Sequence, residues 1–403
     1  MADFSFLETE SYKSFIAEYG DADTIKLRLK AFHELPFDKE FAIRQIECSK
    51  KAKAKIPELS ESWIYPTNLS IEQCTAETIA KFHASLFEGC GNVVDFTCGL
   101  GIDSYYISQK VKSLTTVEID STIAGTAAYN FKKAGAGNIT VVNADAETYA
   151  AGIEGQLSAA FIDQARRGKD NSRVYNINDC VPDIKSIIRS INGKTGFLIA
   201  KTSPMIDITD TLRQFREITE VWVISLKNEC KELLFRFDFT CSGSPVKINT
   251  INFESGDTQL FSTEGGIFKN QAAARDPEEN GLLMLPNSSV MKAGIFNELC
   301  ERYGLSPIAA NSHLFISSGT PTDGFPGKIY RIERILTLSK PDIKALKQTT
   351  EAANIACRNF PLTPDGLYKK LKIKNGGDYY LFATTISSGK KLLLLCKKAA
   401  INA

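Results

Sequence analysis

The sequence is poor in histidine, tryptophan and methionine, with 3, 2 and 4 of them among 403 residues. Its ten cysteines contain no C-x-x-C pair, so neither a zinc ribbon nor a thioredoxin-like redox motif is present. The three histidines lie far apart in sequence, and no metal is expected. No stretch approaches the ~20 apolar residues that a membrane-spanning helix needs. The opening MADFSFLETESYKSF lacks the basic region and apolar core of a secretory signal. Neither sign of charge prevails: 48 basic residues face 47 acidic ones, a net of +1, so no whole-molecule field draws in nucleic acid or membrane. A chain of this length can bury a core without disulfides. The expectation is a cytoplasmic protein with reduced, mostly packed thiols, no membrane partner and an oligomeric state that the sequence leaves open.

What is present fits an ordinary globular protein of several domains: 43% apolar, 24% charged, with 27 Gly and 14 Pro. The charge is unevenly spread. Residues 321–403 hold 15 Lys and Arg against 6 Asp and Glu, a net of +9, which leaves −8 for residues 1–320. Residues 1–90 read as helices. From Asp38 to Ile56 helical spacing puts Phe41, Cys48, Ala52 and Ile56 on one face, with a run of lysines at a solvated end. A second helix is expected over Ile71–Phe87. From Gly91 short apolar runs alternate with helical stretches, which implies βαβ units and a largely parallel sheet. The last two of those runs, Val221–Leu226 and Glu232–Asp238, are expected to pair antiparallel. Beyond Asp238 the chain turns strand-rich, with one helix expected over Ser289–Tyr303. From Lys328 it alternates β, α, β, α, β, β.

The first strand of the βαβ region runs into Asp95-Phe-Thr-Cys98-Gly99-Leu-Gly101-Ile-Asp103. A glycine-rich turn between strand and helix lets backbone approach a ligand closely, with helix N–H groups pointing at it. The dinucleotide fingerprint is incomplete, because Ser104 stands at its third glycine, and the phosphate loop is absent. The second strand ends in Val117-Glu118-Ile119-Asp120, where a carboxylate can grip both ribose hydroxyls of an adenosine. The third ends in Asn143-Ala144-Asp145-Ala146, where an acid can accept from the adenine amino group. Asp95 stands where it can meet the amino group of an amino-acid moiety, directly or through water. Adenosine plus an amino acid without phosphate is S-adenosylmethionine.

These motifs at these spacings resemble class I S-adenosylmethionine-dependent methyltransferases, and the Cys before the glycine pair resembles RNA methyltransferases in particular. Those enzymes share a segment similar to Thr75-Ala-Glu77-Thr-Ile-Ala80, so Gln73 and Thr75 are expected to cover the cofactor. Further along, Phe161-Ile-Asp163-Gln164-Ala165-Arg166-Arg167, Lys201-Thr-Ser203-Pro204, Pro286-Asn287-Ser288, Phe325-Pro326-Gly327 and Gly376-Gly377-Asp378-Tyr379 resemble a bacterial methyltransferase family with a ferredoxin-like insert and a C-terminal THUMP-like domain. The resemblance implies an α/β fold: a Rossmann-like sheet of seven strands, the last antiparallel, with an N-terminal helical region and small C-terminal α+β domains. The expected division is 1–88 helical, 89–245 binding S-adenosylmethionine, 246–325 strand-rich connection and ferredoxin-like domain, and 326–403 THUMP-like. The cofactor set it implies is Thr75, Asp95, Cys98, Gly99, Gly101, Asp103, Glu118, Ile119, Asp145 and Ala146.

Asp163 ends the fourth strand, where methyl group and acceptor meet, and it is the candidate catalytic residue; its alternative is a helix cap. The motif departs from its relatives at Gln164, where they carry proline, and it lacks the prolines and aromatic of nucleobase N-methyltransferases. Arg166, Arg167, Lys201 and Ser203 are candidate substrate contacts, with Lys169 and Arg173 adding charge suited to phosphate. Ion pairing with nearby acids explains the arginines equally well. Cys98 has no His or Lys near it in sequence and reads as a packing residue. In the C-terminal domain Lys369, Lys370, Lys372 and Lys374 cluster near Tyr368, Tyr379 and Tyr380, a combination suited to RNA. The sequence therefore points to methyl transfer onto RNA. It leaves open a small-molecule or protein acceptor, and a non-catalytic RNA module that binds S-adenosylmethionine.

Overall fold

A computed structural model describes residues 4–164, 176–240, 245–264, 272–317 and 323–399. The chain forms two compact units, one made of residues 1–219 and 233–244 and the other of 220–232 and 245–403. The first opens with α1 (Glu10–Tyr19), α2 (Thr24–Leu29), α3 (Lys39–Lys55), α4 (Asn68–Gln73) and α5 (Glu77–Ser85). Thr9, Asp23, Asp38 and Thr67 cap four of these helices, each accepting a hydrogen bond from an amide of the first turn. The face expected on α3 is buried at Cys48 and Ala52, and Ile56 just beyond its end is fully buried too. Part of its lysine end is put to use: the Lys55 ammonium donates to the carbonyls of Ile71 and Glu72 at the close of α4. The single helix expected over Ile71–Phe87 is two, because Cys74-Thr75-Ala76 breaks it into α4 and α5.

Strands and helices then alternate: β1 (Asn92–Asp95), α6 (Ile102–Ser108), β2 (Ser113–Glu118), α7 (Ser121–Lys133), β3 (Ile139–Asn143), α8 (Ala146–Ala151) and β4 (Leu157–Asp163). After them come α9 (Ile184–Ile191), β5 (Thr195–Thr202), α10 (Ile208–Gln214), β6 (Ile218–Leu226) and β7 (Glu229–Asp238). In the first unit the strands lie in the order β3-β2-β1-β4-β5-β7. The first five are mutually parallel, and β7 runs antiparallel to β5, pairing Thr202 with Leu233 and Phe197 with Asp238. Four consecutive buried residues in β4, Ala159 to Ile162, mark a strand covered on both faces. The order reverses between β1 and β4, so the crevice beyond their carboxyl ends is where such a sheet takes a ligand.

β6 passes into β7 through Lys227 and Asn228, both at positive φ (52° and 59°), the backbone of a two-residue hairpin. In the second unit β6, β8 (Lys247–Glu254) and β9 (Asp257–Glu264) lie side by side in that order. Its other elements are β10 (Leu282–Pro286), α11 (Ser288–Ala293), α12 (Phe296–Tyr303), β11 (Leu305–Pro307), β12 (Phe315–Ser317), β13 (Gly327–Leu336), α13 (Lys340–Thr349), β14 (Asn354–Arg358), α14 (Pro364–Leu371), β15 (Tyr379–Thr385) and β16 (Lys391–Lys398). The one helix expected over Ser289–Tyr303 is likewise two. Gly294, at φ 70°, closes α11 in a left-handed conformation that favours glycine. A seven-stranded sheet runs β11-β12-β10-β13-β16-β15-β14. The continuous apolar run Leu392–Cys396 is explained by burial on both faces: Leu392, Leu394 and Cys396 join one core, and Leu393 and Leu395 the other.

Within the first unit one side chain fixes the connection before α4 against α7. The Asn130 amide nitrogen donates to the Ile64 carbonyl, and its oxygen accepts from the Ile64 N–H, both at 3.0 Å and fully buried. Asn130→Ala leaves an amide and a carbonyl of Ile64 without partners, an expected loss of about 2–4 kcal/mol. Equilibrium denaturation of the variant, compared with Asn130→Asp as a second replacement, measures it.

Candidate active site

The site is built from the chain turn that follows β1. Asp95 ends that strand 1% exposed, and its Oδ1 accepts from the Thr97 N–H (2.9 Å). The Ser104 hydroxyl donates to Oδ2 at 2.5 Å and lies 2.9 Å from the Thr116 hydroxyl. Burial pushes this carboxyl up to about 7 in spite of those donors. Asp95 thus shapes the turn from beneath. The Thr97 hydroxyl also accepts from the Asp163 N–H (2.6 Å), tying the turn to the end of β4. Thr97 carries a sequence signal of its own, a small hydroxyl two residues after a strand-end aspartate, and Ser104, at the place of the fingerprint's third glycine, takes a hydrogen-bonding role instead.

Gly99 and Gly101 both have positive φ, 54° and 83°. A Cβ on Gly101 would sit 2.5 Å from the Phe131 ring, so glycine is required there. A Cβ on Gly99 would meet nothing within 4 Å, so the turn opens on free space on that side. Cys98, just before them, is 6% exposed, and burial pushes its thiol well above the usual range, in keeping with a packing residue.

The tip of β2 carries Glu118, half-buried, whose Oε2 accepts from Gly99 N–H (2.9 Å) and whose Oε1 accepts from Asp120 N–H (3.0 Å). Each oxygen keeps a further lone pair for a ligand donor. Next to it Ile119 is 70% exposed, an uncovered apolar side chain suited to the face of a base. The Asn143 amide, another residue the sequence reading left without a role, donates to the carbonyls of Glu118 and Ile119 and holds this corner. Asp145 is exposed and caps α8 through the Thr148 N–H (2.8 Å); Ala146 beside it is buried. Glu118, Ile119, Asp145 and the open side of the Gly99 turn lie at or just past the carboxyl ends of β1, β2 and β3.

Thr75, Asp103 and Lys201 gather behind the turn. The Asp103 carboxylate accepts from the Thr75 hydroxyl (2.5 Å), lies 2.8 Å from His83 Nδ1 and 3.6 Å from Lys201 Nζ. Burial would raise its pKa, but the Lys201 ammonium and His83 outweigh that and hold it well below the usual carboxylate range. Lys201 Nζ donates to Asp163 Oδ2 (2.5 Å) and to the Thr75 hydroxyl (2.8 Å), with a side chain only 8% exposed. Ser203 is half-buried and its hydroxyl accepts from Met205 N–H (3.3 Å). Gln164 is buried and donates to the Pro182 carbonyl. Arg166 and Arg167, with Lys169 and Arg173, fall outside the described residues. A cavity of about 670 Å³, lined by Asn92, Ser113, Tyr149 and Gln156, is bounded by Ala144 of the third-strand motif but by none of the candidate cofactor or substrate residues.

In the second unit Lys369, Lys370, Lys372 and Lys374 are all exposed. The tyrosines expected beside them are half-buried and pack against the core. The Tyr368 hydroxyl accepts from Ile355 N–H and lies within hydrogen-bond reach of Ala353 O and Asn375 Oδ1. Tyr380 stacks on Tyr330 with ring centroids 4.9 Å apart and packs with one core cluster, whereas Tyr368 and Tyr379 pack with the other. Among the described residues no group of His, Cys, Asp and Glu could hold a metal ion, and no helix is long and apolar enough to cross a membrane.

Comparison with known proteins adds the following. The family described as THUMP domain-like matches residues 327–398, and that described as ferredoxin-like matches 283–326. The fold is similar to a crystal structure of a candidate methyltransferase from Porphyromonas gingivalis W83, at 27% identity over 96% of this chain and 98% of that one, with a TM-score of 0.85. An rRNA methylase from Streptococcus thermophilus aligns at 15% identity over 40% of this chain and 94% of that one, with a TM-score of 0.30. A Streptococcus mutans protein solved with S-adenosylhomocysteine aligns at 11% over 40% and 97%, again at 0.30. Both likenesses are too slight to carry weight. No curated protein sequence matches the chain.

Loss of the Glu118 carboxylate removes the anchor of the Gly99 amide and the acceptor expected to meet two ribose hydroxyls. Glu118→Ala is therefore expected to weaken S-adenosylmethionine binding by about 1–3 kcal/mol. Isothermal calorimetry checks it, with NAD and ATP expected to give no measurable heat on the wild type.

Proposed function

We propose that this protein is an S-adenosylmethionine-dependent methyltransferase acting on RNA, a reading supported by its THUMP-like and ferredoxin-like matches and by its likeness to the Porphyromonas gingivalis structure. The observation that carries the reading is the corner formed by Glu118, Ile119 and the Gly99 turn: a carboxylate at a strand tip, an uncovered apolar side chain and open backbone, with no phosphate loop. Bound there, the cofactor supplies an already activated methyl group on a sulfonium. What remains for the chain is alignment. Glu118 and Asp145 hold the adenosine end, and Ile119 covers the base. Asp163, at the carboxyl end of β4 and 37% exposed at its side chain, orients the acceptor and takes its proton.

RNA is favoured as the substrate by the C-terminal domain. Its THUMP-like match coincides with the basic stretch, and its four clustered lysines are exposed. The exposed lysines suit phosphate contact, and the half-buried tyrosines beside them are partly engaged in packing against the core. Two outcomes of one experiment separate the alternatives. Full-length protein is incubated with radiolabelled S-adenosylmethionine and extracted cellular RNA over a series of salt concentrations. Label is expected in RNA, with affinity falling steeply in log salt. Replacing Lys369, Lys370, Lys372 and Lys374 by Ala is expected to reduce the salt slope by up to about four contacts and to leave cofactor binding intact. Equal slopes, with label in protein or in small molecules, would turn the assignment to another acceptor. RNA binding without label would make it a non-catalytic module.

A further inference from the structure

Lys201 is an unusual place for a charge. It ends a strand buried between β4 and β7, and its side chain is 8% exposed. A lysine ammonium in such surroundings loses its charge unless acceptors replace the water it gave up. Three acceptors surround it: Asp163 Oδ2 at 2.5 Å, the Thr75 hydroxyl at 2.8 Å and Asp103 Oδ2 at 3.6 Å. They come from β4, from the break between α4 and α5, and from the first turn of α6.

The register explains why the contact with Asp163 is direct. Parallel pairing of β4 with β5 sets Asp163 opposite Lys201, so both side chains leave the same face of the sheet. On that face Asp103 is itself held from two further sides, by Thr75 and by His83, which is 0% exposed. The charges around Asp163 are therefore Lys201 on β5, Asp103 on α6 with His83 on α5 behind it, and Asp95 at the end of β1. Of these, Lys201 is a cation in direct contact with Asp163. Asp95 and Asp103 oppose ionisation of Asp163.

We infer that Lys201 is a positioning residue that keeps Asp163 ionised and aimed along the carboxyl edge of the sheet, with Thr75 and the Asp103–His83 pair locking the ammonium in place. This rests on Asp163 being the group that meets the acceptor, as proposed above, and it replaces the expectation that Lys201 itself contacts substrate. It also accounts for Thr75, whose hydroxyl bridges Asp103 and Lys201 and so stands behind the cofactor turn.

The test reads Asp163 itself, so that it does not depend on finding the substrate. The carboxyl carbon of Asp163, assigned by comparison with Asp163→Asn, is titrated by NMR in protein carrying 13C-labelled aspartate. In Lys201→Met its apparent pKa is expected to rise by about one unit or more, with S-adenosylmethionine affinity by calorimetry within threefold of wild type. Lys201→Arg, which keeps the cation, is expected to restore most of the wild-type titration. Should Lys201→Met fail to fold because Asp103 is left uncompensated, Lys201→Met combined with Asp103→Asn, compared with Asp103→Asn alone, isolates the effect of the cation, and the same upward shift is expected between those two. In the methyl-transfer assay the acid limb of the rate profile moves to higher pH in step with the titration, and kcat falls with little change in KM for the cofactor. An Asp163 titration that does not move on loss of Lys201 overturns the inference, as does a large loss of cofactor affinity with that titration unchanged. A wild type that transfers no methyl group, yet shows the shift, overturns the proposed reaction and upholds the role of Lys201.

Discussion

An ammonium removed from water and matched by two carboxylates organises the reactive edge of this protein. Lys201 joins the ends of β4 and β5 to the helix that follows the glycine turn and to the break between α4 and α5. The cost of burying such charges is several kcal/mol per ion, recovered only if every partner is in place. That constraint explains features that otherwise look unrelated. Thr75 interrupts what would be one helix, because its hydroxyl is needed between Asp103 and Lys201. His83 is wholly buried because Asp103 requires a second neighbour. The turn above is held by its own acid, Asp95, whose donors Thr97 and Ser104 come from the turn and from α6.

The parts of this arrangement that were legible in the sequence are those governed by short-range rules. Glycines at positive φ, a carboxylate at or just past the end of each of β1 to β4, and alternating apolar runs are written within a few residues of where they act, and Glu118 stands at the tip of β2 and Asp145 just past β3 accordingly. The buried network is written across 126 positions between Thr75 and Lys201, and no local pattern announces it. The two helix breaks show the same limit from opposite sides. Gly294 is a local stop signal that an otherwise helical run concealed, whereas the break at Thr75 is imposed by partners distant in sequence. Tyr368, Tyr379 and Tyr380 looked like one aromatic surface because they are near in sequence, but β15 alternates faces and sends its two tyrosines into different cores.

In the second unit, the same division of labour separates packing from charge. Strand β16 spends five consecutive apolar residues on two cores, and its flanks are lysine on both sides. Helix α14 buries Leu367 and Leu371 and leaves Lys369 and Lys370 outward, as a period of 3.6 requires. The basic character of the domain is therefore a property of its outer positions, imposed on a core that is self-sufficient in apolar contacts.

The path of the chain between the units bears on how the protein is made. Strand β5 finds its antiparallel neighbour in residues 233–238, but the chain reaches them only after residues 220–232, which belong to the other unit. During synthesis the first unit accordingly stays incomplete, with the β5 backbone unpaired along one edge, until Asp238 has cleared the ribosome. An open edge of this kind is a template for pairing with another chain. The two-residue turn at Lys227 and Asn228 limits that exposure, since it brings the missing strand back within the shortest connection a hairpin allows. A proteolytic cut in that turn during synthesis would leave the β5 edge without the strand that pairs with it.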